Sequence, residues 1–295
     1  MINKKLKSVI PCLFCITLVM CGRHDTAVKT DYEKLRLKAN VKNIVETYYE
    51  TVISDDSIKK GKQTIYLPSF LESSEENTFN SFETELWFNR NGNITECTMR
   101  DSIMYIYFKE IFEYKNILLE NKIGYISDEL SYRQVFEYDS KNRERRRDFY
   151  DSENQLFETV SVNYIDKNSV TETVASDYGK AVFEKRITLE NGLPVSSVSI
   201  IKAKEFEKWT GKYDSAGHII LSKLYDENSN PVQYSVYEYD EFGNETLYAS
   251  YSADEELIEE YKYMYKYDKF NNWTQRATIV DNIPEIITVR KIDYY

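Results

Sequence analysis

The chain has 295 residues, with 38 Lys and Arg against 49 Asp and Glu, for a formal net charge of −11 at pH 7. That acidity makes it a poor electrostatic partner for nucleic acid or an anionic membrane surface. A 42% hydrophobic content with only nine Gly and five Pro excludes a mostly disordered chain. Tyrosine is the outlier, with 26 residues beside 14 Phe and 3 Trp, so residues that favour strands dominate.

In chain order, Lys4, Lys5 and Lys7 form a basic start and Ser8 to Met20 is mostly apolar. The run is short for a membrane-spanning helix and has the shape of a signal peptide over residues 1–20. It closes as Leu18-Val19-Met20-Cys21-Gly22, with Met20 where a small residue is usual. This resembles a bacterial lipobox, which implies that Cys21 becomes the lipidated first residue and attaches the protein to a membrane of the bacterial envelope. Cleavage there removes Cys12 and Cys15. Only Cys21 and Cys97 then remain, so no internal disulfide is expected despite export.

Residues 21–33 read as a polar tether, and 34–85 as an irregular N-terminal β region. Leu35 to Val52 carries apolar residues that fit either a helix or a strand. Val41, Val45, Thr47, Tyr48 and Tyr49 favour a strand over Val41 to Val52. Ser54 to Lys62 and Leu71 to Ser81 read as polar loops inserted into the first part of a sheet.

From residue 86 to 295 a repeat takes over. Its anchors, each the last apolar residue before a polar turn, are Phe88, Tyr114, Tyr138, Tyr164, Leu189, Tyr213, Tyr239 and Tyr267, spaced 24 to 28 residues apart. A second polar break follows each anchor, at Asp101, Asp128, Asp151, Asp177, Ala203, Asp226, Asp254 and Asp281. Residues two before the anchors are apolar and those one before are polar, with few exceptions, which is the period of a half-buried strand. One unit is therefore strand, turn, strand, turn. The pattern predicts an all-β fold, a long antiparallel meander of about sixteen or more strands. Open sheets rarely exceed about ten strands without curling, so a coiled or curled sheet with the anchors inside is expected.

Turn chemistry extends the reading to register. A type I turn on Asp240 to Gly243 with a left-handed Gly243 closes a common hairpin. The same geometry sets Tyr267 opposite Trp273, Tyr213 opposite Ile219 and Phe88 opposite Ile94.

Tyr239-Asp240-Glu241-Phe242-Gly243-Asn244 and Tyr267-Asp268-Lys269-Phe270-Asn271-Asn272-Trp273 resemble the YD repeat of Rhs-type and wall-associated bacterial proteins. The C-terminal part is also similar to repeat-bearing lipoproteins of Bacteroides-like bacteria. The resemblance implies a β-repeat shell. The chain lacks the length and the toxin segment of large Rhs proteins, so their encapsulating role does not carry over.

Catalytic motifs are scarce. His24 falls in the tether and His218 in a turn, and Cys97 has no evident His partner. No metal site and no cofactor is expected, since the Asp residues are explained by turns. Arg143-Glu144-Arg145-Arg146-Arg147 reads as the solvated face of one strand. The aromatic stripe Tyr261, Tyr263, Tyr265 and Tyr267, with Trp273 on the adjoining strand, is either core or a face that grips sugar or protein. The expected function is thus a non-catalytic, membrane-tethered scaffold that binds protein or glycan. The alternatives are an envelope carbohydrate hydrolase using paired carboxylates, or a partner or immunity factor for a toxin.

Overall fold

The computed structural model describes residues 28–55, 57–66, 81–176 and 182–295. The expected signal peptide, Cys21, His24 and most of the Leu71 to Ser81 insertion lie outside the described residues. Within them the chain forms one short helix, α1 (Asp31–Lys34), and nineteen strands. The first strands are β1 (Val41–Ser54), β2 (Ser57–Thr64), β3 (Glu83–Phe88), β4 (Ile94–Arg100), β5 (Ile106–Lys115) and β6 (Leu118–Ile126). Next come β7 (Glu129–Tyr138), β8 (Glu144–Asp151), β9 (Leu156–Tyr164), β10 (Ser169–Ser176), β11 (Val182–Glu190), β12 (Leu193–Ile201) and β13 (Lys204–Tyr213). The last are β14 (Ile219–Asp226), β15 (Pro231–Tyr239), β16 (Glu245–Ser252), β17 (Leu257–Tyr267), β18 (Trp273–Val280) and β19 (Ile283–Tyr294).

The expected strand over Val41 to Val52 is β1. The segment read as a polar loop, Ser54 to Lys62, instead largely forms β2. Its sequence Ser-Ile-Lys-Lys-Gly-Lys-Gln-Thr has no apolar face to announce a strand, and it is held by backbone pairing to β1, Ser54 opposite Ser57 through Tyr48 opposite Thr64. β3 continues along the same edge of β1, with Thr47 opposite Glu83 and Asn43 opposite Trp87.

From β3 onward every strand pairs antiparallel with the next, and the other edge of β1 pairs with β19, from Val41 opposite Tyr294 to Glu50 opposite Ile286. The sheet therefore closes into an eighteen-strand barrel, with β2 lying in line with β3. This corrects the coiled open sheet that the repeat alone implies. The reason is β1: it stands outside the repeat and offers both edges, and closure pairs the backbone groups that an open edge leaves unpaired.

The repeat logic survives in detail. Six of the eight anchors end odd-numbered strands, and the other two, Tyr114 and Leu189, stand one residue before the end. The three expected pairs, Tyr267 with Trp273, Tyr213 with Ile219 and Phe88 with Ile94, stand opposite each other. At the best-formed turn the Asp240 carboxylate accepts from the backbone N–H of Phe242 and Asn244 at 2.9 and 2.8 Å, and Gly243 has φ 85°. Asp268, Asp214 and Asp139 hold their turns in the same way. Anchor hydroxyls, and that of Tyr294 beyond the last anchor, then tie neighbouring hairpins together. Tyr267 donates to Asp240 and Tyr294 to Asp268, while Tyr138 and Tyr213 reach the carbonyls of Leu119 and Pro194. The pairing of Tyr with Asp thus joins successive repeats as well as shaping each turn.

The anchor face is the inner wall. The arginine run on β8 does not share the one solvated face expected of it, because a register shift opposite Glu137 and Tyr138 makes Arg145 an extra, bulged residue. Arg145 is exposed beside Glu137, whereas Arg147 turns inward over Phe136 and Phe149.

The outer wall is built for water. Lys109, Arg133, Arg186, Lys208, Lys223 and Lys262 stand mid-strand on it. Several are matched by carboxylates on the same wall, Lys109 with Glu96 at 3.1 Å, Arg186 with Glu184 at 2.7 Å and Lys262 with Glu260 at 2.7 Å. A Lys or Arg on the lipid face of a barrel costs about 2–4 kcal/mol at the bilayer midplane. Six of them, at about 12–24 kcal/mol together, would rival or exceed the roughly 5–15 kcal/mol that stabilises a typical domain. That charge pattern fits a wall facing water better than one facing lipid.

One end of the barrel, where the anchors lie, is crossed by residues 28–40. Thr30 caps α1, with Glu33 completing a capping box. Asp31 accepts from the Tyr114 hydroxyl on β5 at 3.0 Å and from the Ile94 amide at 2.8 Å. Five residues on, the Arg36 guanidinium lies 5.4 Å over the Tyr239 ring on β15, and the Lys38 amide donates to Asn272 at 2.7 Å. β5 and β15 lie on nearly opposite sides of the ring, so this segment bridges the mouth. Leu37, with Tyr32 and Leu35, packs on a core of Val41, Ile44, Leu86, Phe88, Met99 and Phe108. The last residues of the expected tether are therefore docked.

Candidate functional site

The most distinctive chemistry lies on the inner wall from β15 round to β1. Tyr237 on β15 lies against Tyr248 on β16 at 5.4 Å between ring centroids. Tyr248 then meets Tyr261 on β17 at 6.0 Å, and Tyr261 stacks on Tyr263 at 6.5 Å. The row continues with charge. The Arg276 guanidinium sits 5.1 Å over Tyr263, and Arg290 sits 3.4 Å over Trp273. Arg290 also donates to Glu46 at 2.8 Å across the β1–β19 seam. Small hydroxyl residues, Ser222, Ser235, Ser250, Thr278 and Thr288, are buried between the large ones.

The spacing follows from the strands. Alternate residues of β17 face inward, so Tyr261, Tyr263, Tyr265 and Tyr267 form one column, and antiparallel pairing sets Tyr263 opposite Thr278 and Tyr265 opposite Arg276. The column divides by depth. Tyr265 donates to the Glu245 carbonyl at 2.8 Å, Tyr267 is tied to the Asp240 turn, and Trp273 is buried at the plugged end. Tyr261 and Tyr263 lie nearer the other end and are half-buried. Burial first, and then Glu259, raises the Tyr261 hydroxyl pKa above the usual tyrosine range. All five residues expected from the sequence thus share the inner wall. Tyr237, Tyr248, Arg276, Arg290 and Glu46 complete the belt. The sequence offered no sign of them because they come from other strands, and only the register brings them together.

A second inner-wall cluster lies on the other side of the ring. Val160, Val162, Val170, Ile187 and Leu189 pack together around β9–β11. Among them Glu172 is buried opposite Lys185, and burial pushes its pKa up to about 7 against the pull of Lys185 and Arg147, with Glu144 adding a further upward push. His218 sits in its turn, bonded to Asp214 at 2.9 Å and stacked on Tyr239 at 4.7 Å. Cys97 is buried and free, and burial raises its thiol pKa.

Comparison with known proteins yields little. No family model matches the chain, and no curated protein matches it. Among solved structures, a porin-like protein from Bacteroides uniformis matches with 10% identity and a TM-score of 0.30, over 87% of this chain and 98% of that one. A porin-like protein from Bacteroides vulgatus matches with 8% identity and a TM-score of 0.35, over 86% and 98%. Scores this low transfer neither fold detail nor function, and the closed ring rests on the strand pairing alone.

Proposed function

We propose that this chain is a non-catalytic protein of the bacterial envelope, tethered to a membrane by lipid at Cys21, whose barrel binds glycan on its inner aromatic wall. The row Tyr237–Tyr248–Tyr261–Tyr263 carries the reading. Ring faces interleaved with hydroxyls and flanked by guanidinium groups offer stacking for sugar rings and hydrogen bonds for their hydroxyls. The charged outer wall supports a barrel held in water by a tether. The similarity to YD-repeat proteins supports an extracytoplasmic repeat scaffold.

The test pairs binding with stability. A panel of soluble oligosaccharides is titrated against tryptophan and tyrosine fluorescence in the parent, Tyr261→Ala and Tyr263→Ala. Binding that both variants lose at near-parent stability supports the reading. If both variants lose several kcal/mol, the order expected for buried aromatics, and no oligosaccharide binds the parent, the rings are core.

One observation favours a second reading, an envelope carbohydrate hydrolase. Glu172 is an inward carboxyl whose pKa burial pushes up to about 7, which suits a general acid working near neutral pH. Hydrolysis of a bound oligosaccharide that disappears in Glu172→Gln would select this reading over the first.

A further inference from the structure

The end of the barrel away from the plug has a different character. Seven consecutive hairpins run round it, from β12–β13 to β6–β7, and each carries an exposed large apolar residue. Isoleucine does so on six of them: Ile201, Ile258, Ile283, Ile53, Ile103 and Ile126, the most open being Ile103 at 81%. Val232 serves the seventh. Scattered surface apolar residues need no explanation, but a contiguous patch does. These residues sit at the tips of neighbouring hairpins. At about 4.8 Å per strand, seven hairpins make an arc of roughly 60 Å. At the plugged end Tyr32, Leu35 and Leu37 of the chain itself cover part of the apolar surface, and exposed apolar residues such as Ile165 and Ile117 stand on fewer of the hairpins.

The charge at this rim is mostly acidic. Asp128 and Glu129, Asp254 to Glu256, and Asp281 occupy the same tips. Two of the lysines there are already engaged, Lys59 with Asp55 at 3.0 Å and Lys204 with Glu227 at 2.5 Å. A second copy of this rim would meet like charge, and so would an anionic lipid surface. We propose that the open rim docks a positively charged protein through an amphipathic face, apolar side chains seating among the isoleucines and Lys or Arg facing the acidic tips. The arc is far too long for a small molecule. An eighteen-residue helix spans about 27 Å, roughly three hairpin spacings. The inference is independent of the inner-wall reading.

The test uses the full chain and a fluorescent eighteen-residue amphipathic peptide with leucines on one face and lysines on the other, read by anisotropy. Binding should weaken sharply between 50 mM and 500 mM salt. It should fall at least tenfold in the combined variant Ile103→Ser, Ile258→Ser, Ile283→Ser, whose melting temperature should match the parent. Ile165→Ser, at the plugged end, should leave binding unchanged. Equal affinity in rim variant and parent, or no binding by the parent, overturns the proposal. Sedimentation with phosphatidylglycerol–phosphatidylcholine vesicles supplies the other arm. If the parent co-sediments and the rim variant does not, the occupant is a lipid surface and the proposal fails.

Discussion

Replacing Arg290 with methionine tests the seam that closes the barrel. Arg290 on β19 and Glu46 on β1 are bonded at 2.8 Å, with side-chain exposures of 4% and 0%. Removing one partner of a buried pair costs about 3–5 kcal/mol, because the remaining charge loses its counter-ion in a place water does not reach. Losing the stack on Trp273 adds up to about 2 kcal/mol. Arg290→Met should therefore lose roughly 4–6 kcal/mol in urea denaturation followed by tryptophan fluorescence. Glu46→Leu in the same background should recover most of that loss, since two apolar side chains of similar size can replace a buried pair at little cost. A single-variant loss below about 1 kcal/mol, or a double variant as unstable as the single, would refute the seam as described.

The other predictions concern a titration, a turn and the anchor. The pKa of Glu172 is raised from 4.5 to about 7 by burial, so the folded chain holds this proton more tightly than the unfolded one. Stability from this group is full below about pH 4.5 and falls as pH rises through about 7. Glu172→Gln should abolish that fall and gain about 3 kcal/mol over the parent at pH 8, and identical urea midpoints at pH 8 would contradict it. Tyr267→Phe should cost about 1–2 kcal/mol because its hydroxyl bonds the charged Asp240 carboxylate, and Asp240→Ala should cost more, since two turn amides also lose their acceptor. Cys21→Ala should abolish incorporation of labelled fatty acid, and continued labelling would remove the lipid tether from the account.

Much of the fold was legible because the repeat states it twice, once in the aromatic alternation and once in the turn residues. Asp268 and Asn271 fix a hairpin with one left-handed residue, and that alone sets Tyr267 opposite Trp273. Closure was not legible. It depends on β1, which has no counterpart in the repeat, and on pairing between Val41–Ser54 and a strand some 240 residues later. β2 was missed because backbone pairing, rather than an apolar face, makes it a strand. The candidate site was half legible. The Tyr261 to Tyr267 column follows from one strand's period, whereas Tyr237, Tyr248, Arg276 and Glu46 join it only through the pairing of six strands.

The central claim is that the sheet closes through β1 and β19. Thr47 and Val289 stand directly opposite each other across that seam. Directly opposed residues of antiparallel strands have Cα atoms about 4.5–5.5 Å apart, within the range a disulfide spans. Thr47→Cys combined with Val289→Cys should therefore form a disulfide in high yield under mild oxidation, seen as a faster-migrating, reductant-sensitive species. Each single variant should show none. A double variant that stays reduced in the folded protein would mean that the two strands do not meet and the barrel is open.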